Sequence, residues 1–354
     1  RIEGNAEAGL FYGIQTLVQL VQTHGDRLPV LEIEDAPAFK LRGFYHDLSR
    51  GKVPTLETLK WLAEQMAAMK MNHLQLYIEH TFAFEFDPDI SRGCSPLQPE
   101  EILELDRYCR DLRIELTPSL ATFGHMARIL SLPQYQHLAC VPAGKPWEDM
   151  IWTDRCLGLT LDPTQEQSRQ LLRKMFEEFL PLFSSPWMNV CADETFHLGK
   201  GRTEKAAAGK GVGRLYWNHL QFLRDLCAEF GKKMMFWGDI VLEHPELAGE
   251  IPEDAMVLNW GYDAEHDYDT CDFFARRGLT FAVCPGTSGW GRILNAVNNA
   301  DTNIRRFSKK GLETGAAGVL NTDWGDRGHY SLLSGSLHGL AVGAAASWNP
   351  EGME

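Results

Sequence analysis

The sequence predicts an α/β chain folded as a (β/α)8 TIM barrel, and three observations carry that expectation. From residue 41 onward, short apolar runs alternate with longer segments of helical period. The runs are nearly continuous in apolar residues, as expected of strands buried on both faces of a parallel sheet. Eight such units fill about 305 residues, against about 250 in a typical barrel of this kind, which leaves room for insertions. A doubly wound open sheet is the competing arrangement. It would carry a glycine-rich phosphate loop after its first strand, and SRGKVPT at 49–55 has no such pattern.

The elements follow in order. LRGFYHDLS (41–49) reads as the first strand. TLETLKWLAEQMAAMK (55–70) is a helix with Leu56, Leu59, Leu62 and Met66 on its inner face. HLQLYIE (73–79) is the second strand, and the helix at 99–112 opens on Pro99, a residue suited to a first helical turn. IELTPSL (114–120) is the third strand and leads into a long irregular stretch to about residue 162. A helix at 164–180 precedes WMNVCADE (187–194), the fourth strand. Helix 213–230 leads to strand 233–240, a short segment to strand 256–262, helix 267–277 to strand 279–286, and helix 301–314 to strand 316–325. A last helix spans 332–346. Ahead of all this, GLFYGIQTLVQLVQ forms an amphipathic helix with Phe11, Ile14, Leu17, Val18 and Val21 on one face. The link 31–40 contains a proline and marks the boundary to the barrel. The chain therefore divides into 1–36 and 37–354.

Composition excludes several function classes. The formal charge of −14 over 354 residues repels nucleic acid and anionic membrane, and no Lys/Arg-rich block offsets it. No run of 18 apolar residues exists to span a bilayer. The first 22 residues lack a basic head and a small-residue cleavage site, so they are no signal peptide. That favours a cytoplasmic location. The chain reads as one entered midway, however, and leaves an upstream export signal open. The eight cysteines form no CxxC and no zinc-ligand spacing with histidine, and no cofactor or metal is expected. Cys191 and Cys284 sit in apolar runs as small buried hydrophobes. Nothing in the sequence fixes an oligomeric state.

Barrel chemistry sits at the C-terminal ends of the strands. Strand one carries Arg42, His46, Asp47 and Arg50, and strand two ends at Glu79 and His80. Strand three runs into ATFGHM with His125, and strand four ends at Asp193 and Glu194. Strand five ends at Trp237 and Asp239, strand six at Trp260 and Tyr262, and strand eight at Asp323, Trp324, Asp326 and His329. Tryptophans among carboxylates suit a sugar ring: indole faces cover its C–H surface and carboxylates accept from its hydroxyls. Adjacent Asp193 and Glu194 are awkward for two-carboxylate hydrolysis, because neighbours on a strand point to opposite faces. A substrate-assisted division fits better. Glu194 protonates the leaving oxygen, and Asp193 orients a 2-acetamido group whose own oxygen attacks. The charge-rich GKGRTEKAAAGKG (199–211) is expected as a mobile loop beside the site.

These residues resemble glycoside hydrolase family 20, the β-N-acetylhexosaminidases. The resemblance rests on NVCADETFHLG, on RGFYHDLSRGKVPTLETLKWLAEQMAAMKMNHLQLY, on LTPSLATFGHM, and on GLFYGIQTLVQLVQ followed by IEDAPAFKLRG. IEH, TFGHM and DETFHLGKG are most similar to the family's hexosaminidase D-like branch and related bacterial proteins. The resemblance implies a retaining exo-hydrolase of terminal β-linked GlcNAc or GalNAc, preceded by the last helix of a small α+β domain. It implies that Asp193 polarises the acetamide and Glu194 is the general acid/base. Arg42 would bind the sugar's 3- and 4-hydroxyls, and Trp237, Trp260 and Trp324 would wall the pocket. Asp326 and Glu79 would stand where the family has a Glu and an Asp, with His125 in a supporting hydrogen-bond chain. Two departures stand out. The family's GGDE reads CADE, and the strand-seven Tyr has no clear counterpart, so that Tyr262, from strand six, is the candidate substitute. A catalytically silent amino-sugar binder and a barrel glycosidase with an ordinary carboxylate nucleophile remain the alternatives.

Overall fold

The computed structural model describes residues 1–353. Eight parallel strands close on themselves in chain order: β1 Leu41–Asp47, β2 His73–Ile78, β3 Glu115–Leu120, β4 Trp187–Asn189, β5 Lys233–Trp237, β6 Met256–Trp260, β7 Phe281–Cys284 and β8 Gly318–Asp323. β1 closes the barrel by pairing with both β2 and β8, with Tyr45 opposite Gln75 on one side and Thr322 on the other. The closed register excludes the doubly wound alternative.

The strands are buried on both faces because two cores share them. Inside the barrel, Tyr45, Tyr77, Cys191, Met235, Trp237, Leu258 and Leu320 form one cluster. Outside it, Phe44, Leu74, Leu116, Phe236 and Val257 meet the returning helices. The alternation of Phe44 and Tyr45 between these cores is the period of two expected of a strand. Helix Leu56–Ala68 turns Leu59, Leu62, Ala63 and Met66 inward, and the Thr55 hydroxyl caps it by accepting the N–H of Thr58 (3.3 Å). Helix Pro99–Asp111 begins with proline, and the Glu101 carboxylate accepts the Gln98 N–H (2.8 Å).

Two sequence expectations need correction. β4 stops at Asn189, where the apolar pattern had continued it to residue 194. The 199–211 stretch is a 3₁₀ turn (Gly201–Thr203) and a helix (Glu204–Lys210), fastened by Arg202 Nη1 to the Ala139 carbonyl (2.7 Å). Helix Glu7–His24 buries none of its residues, and Ile14, Leu17, Val18 and Val21 are exposed, although Phe11 touches the core. No helix among the described residues is long and apolar enough to cross a membrane.

Candidate active site

The site is built where β4 breaks. Cys191, Ala192 and Glu194 have φ of 58°, 64° and 48°, in the left-handed region. Each non-glycine residue there costs about 1 kcal/mol or more and needs its surroundings to hold it. Those surroundings are present. The Asn189 side chain accepts the Cys191 N–H (2.9 Å), the Thr122 hydroxyl donates to the Val190 carbonyl (2.6 Å), and Asp239 accepts the Glu194 N–H (3.0 Å). Gly124 allows the third loop to approach: a Cβ on it would lie 2.2 Å from the Asp193 carbonyl oxygen.

The left-handed backbone resolves the difficulty of two adjacent acids. They no longer alternate across a pleat, and both carboxylates converge on one imidazole. His125 Nε2 lies 3.4 Å from Asp193 Oδ2 and 3.2 Å from Glu194 Oε2. Burial alone would lower the His125 pKa, but Asp193 by charge and hydrogen bond, and Glu194 by hydrogen bond, hold it well above the usual histidine range. One atom each from His125, Asp193 and Glu194 lies within 4.8 Å of the others, a ligand-type grouping. With the imidazole protonated, its nitrogen is a donor to both acids and not a free lone pair. Asp193 Oδ1 is buried and has no hydrogen-bond partner.

Arg50 organises the opposite wall. Its guanidinium reaches Asp47 (3.1 Å), Glu79 (3.2 Å) and Asp326 (3.4 Å), with His125 Nδ1 at 3.4 Å, and it lies against the adjoining rings of Tyr77 (4.9 Å) and Trp324 (5.2 Å). Glu79 also accepts from the Tyr77 hydroxyl (2.9 Å). Burial pushes the Glu79 carboxyl up to about 7, against the opposing pull of Arg50 and His125. Burial, reinforced by the Asp193 charge, pushes Asp239 up to about 7 as well. Asp326 is raised, again chiefly by burial.

Aromatic rings floor and side this space. Tyr45 touches Trp237 (centroids 5.2 Å) and Trp324 (5.0 Å), and Trp237 lies 5.9 Å from Trp324. Trp260 stacks on Tyr262 (5.2 Å, 20°), and Tyr262 meets Trp290 edge-on. Cys191 projects into the same floor, its sulfur 3.5 Å from the Ser119 hydroxyl and 3.8 Å from that of Tyr45.

The structure thus brings together Asp193, Glu194, His125, Glu79, Asp239, Asp326, Trp237, Trp260, Tyr262 and Trp324. It does not place Arg42 among them, and the expected hydroxyl-binding role of Arg42 is overturned. Arg42 is the second residue of β1, at the opposite end of the barrel. Its Nε donates to the Lys70 carbonyl (3.0 Å) and its Nη1 to that of Phe39 (2.9 Å), and it lies against the adjoining rings of Tyr12 and Trp348. Arg50 occupies the position that was assigned to it, three residues beyond the strand's C-terminal end. The rule that barrel chemistry gathers at that end was a sufficient signal. Tyr45 and Tyr77 also belong to this wall, and no sequence signal singles them out.

A model of the glycosyl hydrolase family 20 catalytic domain matches residues 39–289, and one of that family's domain 2 matches residues 1–36. The chain belongs to glycosyl hydrolase family 20. This family 20 chain is 26% identical to a β-hexosaminidase of Vibrio furnissii, over 81% of its own length and 50% of that protein's. It is 22% identical to human hexosaminidase D, over 83% of its length and 62% of that protein's. It spans between half and two thirds of these two relatives. Among solved structures it is similar to a Flavobacterium johnsoniae chitobiase (TM-score 0.76, 19% identity, covering 96% of this chain and 53% of that one). It is also similar to a Vibrio harveyi exo-β-N-acetylglucosaminidase in complex with N-acetylglucosamine (TM-score 0.73, 17% identity, covering 99% and 61%). Both likenesses are of fold. Cys191 and Ala192 adopt a left-handed conformation that glycine would reach without strain.

Proposed function

We propose that this family 20 chain is a retaining exo-β-N-acetylhexosaminidase that removes terminal β-linked GlcNAc or GalNAc by substrate-assisted catalysis. One observation carries the reading: Asp193 Oδ1 is a buried carboxylate oxygen without a donor, beside a Glu194 turned to the same side. A buried unpaired acceptor is costly, and an acetamide N–H is the donor it lacks. With that N–H held, the acetamide oxygen attacks the anomeric carbon while Glu194 gives its proton to the departing oxygen. Asp193 then faces the positive charge of the oxazolinium intermediate. Glu194, now ionised, takes a proton from the water that reopens it, so configuration is retained.

The remaining walls have parts in this reading. Arg50, Glu79 and Asp326 bind ring hydroxyls, replacing the role first given to Arg42. Trp237, Trp260 and Trp324 enclose the N-acetyl group and the ring. Asp239 positions Glu194 through its backbone N–H, and Tyr262 donates to the acetamide oxygen in place of the strand-seven tyrosine. Residues 1–36 are read as the end of the family's second domain and 37–354 as the catalytic barrel, a division supported by the two family matches. The test is a panel of aryl β-glycosides of GlcNAc, GalNAc, glucose and galactose. Hydrolysis of the first two and inhibition by a thiazoline analogue are expected. Turnover confined to glucose and galactose sinks the reading.

A further inference from the structure

A second cavity, of about 390 Å³, lies outside the barrel between the loops that follow β1 and β8. Its polar lining is His46, Lys52, Thr58 and His329, and none of its lining residues is acidic. In a chain of net charge −14 that lining is anomalous. Two helices begin on the cavity: Thr58 lies in the first turn of Leu56–Ala68, and Leu333 is the first residue of Leu333–Trp348. The Thr58 N–H is taken by the Thr55 hydroxyl and that of Gly335 by the Leu332 carbonyl, and what the two helix starts offer the cavity is their partial positive charge.

The two imidazoles are held as a pair, 5.6 Å apart. His46 Nδ1 is bound to Asp323 (2.9 Å), whose other oxygen accepts from Thr287 and Ser336, which leaves His46 Nε2 without a protein partner. His329 is 3% exposed, makes no side-chain hydrogen bond, and its buried Nδ1 is unpartnered. It sits at φ 52°, so the fold holds this ring in place against backbone strain. Burial first, then the charges of His46 and Lys52, lower the His329 pKa, while Asp47 and Asp323 oppose them. Both of those acids are engaged elsewhere, Asp323 as above and Asp47 by Arg50, the Ser49 N–H and the Gly325 N–H. Lys52 Nζ meets only the Ser331 carbonyl (2.5 Å) and keeps two further donors.

We propose that this cavity binds a phosphate group, as the free ion or as the monoester of a small metabolite. An ammonium and two imidazoles beside the positive ends of two helices match an oxyanion with several acceptor oxygens better than a carboxylate with two. The volume is at the lower end of small-molecule sites, about 300–1,000 Å³, and exceeds what a bare ion needs. Its walls are the segments that continue from Arg50 and Asp326. They already touch, since a Cβ on Gly51 would lie 3.0 Å from the Gly328 carbonyl oxygen. An occupant bridging them fixes the spacing of Arg50 and Asp326 in the sugar pocket from behind.

The test is calorimetric titration of the whole chain with inorganic phosphate and with a hexose 6-phosphate. Saturable binding of either is expected. It should weaken at least about tenfold in Lys52→Met, as for loss of a charge-assisted hydrogen bond, and persist in Arg50→Lys. Tighter binding of the sugar phosphate identifies a monoester, and equal binding identifies phosphate itself. No saturable binding at millimolar ligand overturns the proposal. So does binding unaffected by Lys52→Met, or binding lost with Arg50→Lys, which would place the anion in the sugar pocket. Lys52 is exposed, so its substitution leaves the fold intact, and His329→Phe provides a second arm.

Discussion

Arg42 and Arg50 flank the same strand, are both buried, and both lie against aromatic rings, yet they have opposite surroundings. Arg42 donates to main-chain carbonyls and lies against Tyr12 of the N-terminal helix and Trp348 of the last one. Every partner it has is neutral, and burial lowers its pKa. Arg50 faces Asp47, Glu79 and Asp326, and is held charged well above the ordinary arginine value despite the burial that opposes this. The first closes one end of the barrel mechanically. The second collects negative charge at the other end, beside the strained turn that carries Asp193 and Glu194. Residue type and burial do not separate these roles; the end of the strand does.

The sharpest division between the ends should appear in kcat. Asp193→Asn and Glu194→Gln are expected to lower it by roughly 10²–10⁴-fold. Glu194→Gln should be worst on poor leaving groups, which need the acid most, and Asp193→Asn equally bad on all. A Glu194→Gln enzyme that is insensitive to leaving-group pKa would remove the general acid from that residue. The arginines themselves come next. Arg50→Lys keeps the charge but loses the fork, and should cost about 10²-fold in kcat/KM with little change in Tm. Arg42→Lys should do the reverse, destabilising by about 2 kcal/mol through lost stacking and carbonyl contacts. Equal activity losses in the two variants would break the comparison.

Gly124→Ala probes the turn without touching a polar group. Its new Cβ would meet the Asp193 carbonyl oxygen at 2.2 Å, so the acid pair must shift. A displacement on the order of 1 Å costs about 10²-fold, and steady-state kinetics on an aryl β-GlcNAc should show it. Wild-type turnover would mean that the pair need not be held where it stands.

The barrel was legible because its signal is redundant. Eight apolar runs and intervening helical periods agree, and one misread end changes nothing. The acid pair was legible too, but its geometry was not. The apolar run Trp187–Ala192 is a good strand pattern, and only the φ values show that Cys191 and Ala192 leave it. Left-handed backbone is announced by glycine, and here glycine is absent. Arg42 is a different case: its role rests on the family resemblance alone, and its place at the start of β1 is enough to put it at the barrel end away from the site. The charge-rich composition of 199–211 reads as a loop and masks the short helix Glu204–Lys210 built on its three alanines.

The smallest expected effect concerns the charge that Arg50 collects. Burial raises the Glu79 carboxyl from its ordinary 4.5 to about 7. Between those values the folded protein keeps a proton that the unfolded chain has released. Glu79 therefore contributes its full stability below about pH 4.5 and loses it as pH rises through about 7. Glutamine at this position stays neutral at every pH. The stability of Glu79→Gln relative to wild type should thus increase between pH 5 and pH 8, by ~3 kcal/mol at most. Buried His73, His80 and His219, whose pKa values are lowered to about 4, 3 and 4, titrate in the opposite sense, but they are common to both proteins and cancel in the difference. Urea melts of the two proteins at both pH values measure it. A difference that stays flat or falls with pH would mean that Glu79 is already ionised against Arg50 at acid pH, and that this end of the barrel holds its charge more firmly than its burial implies.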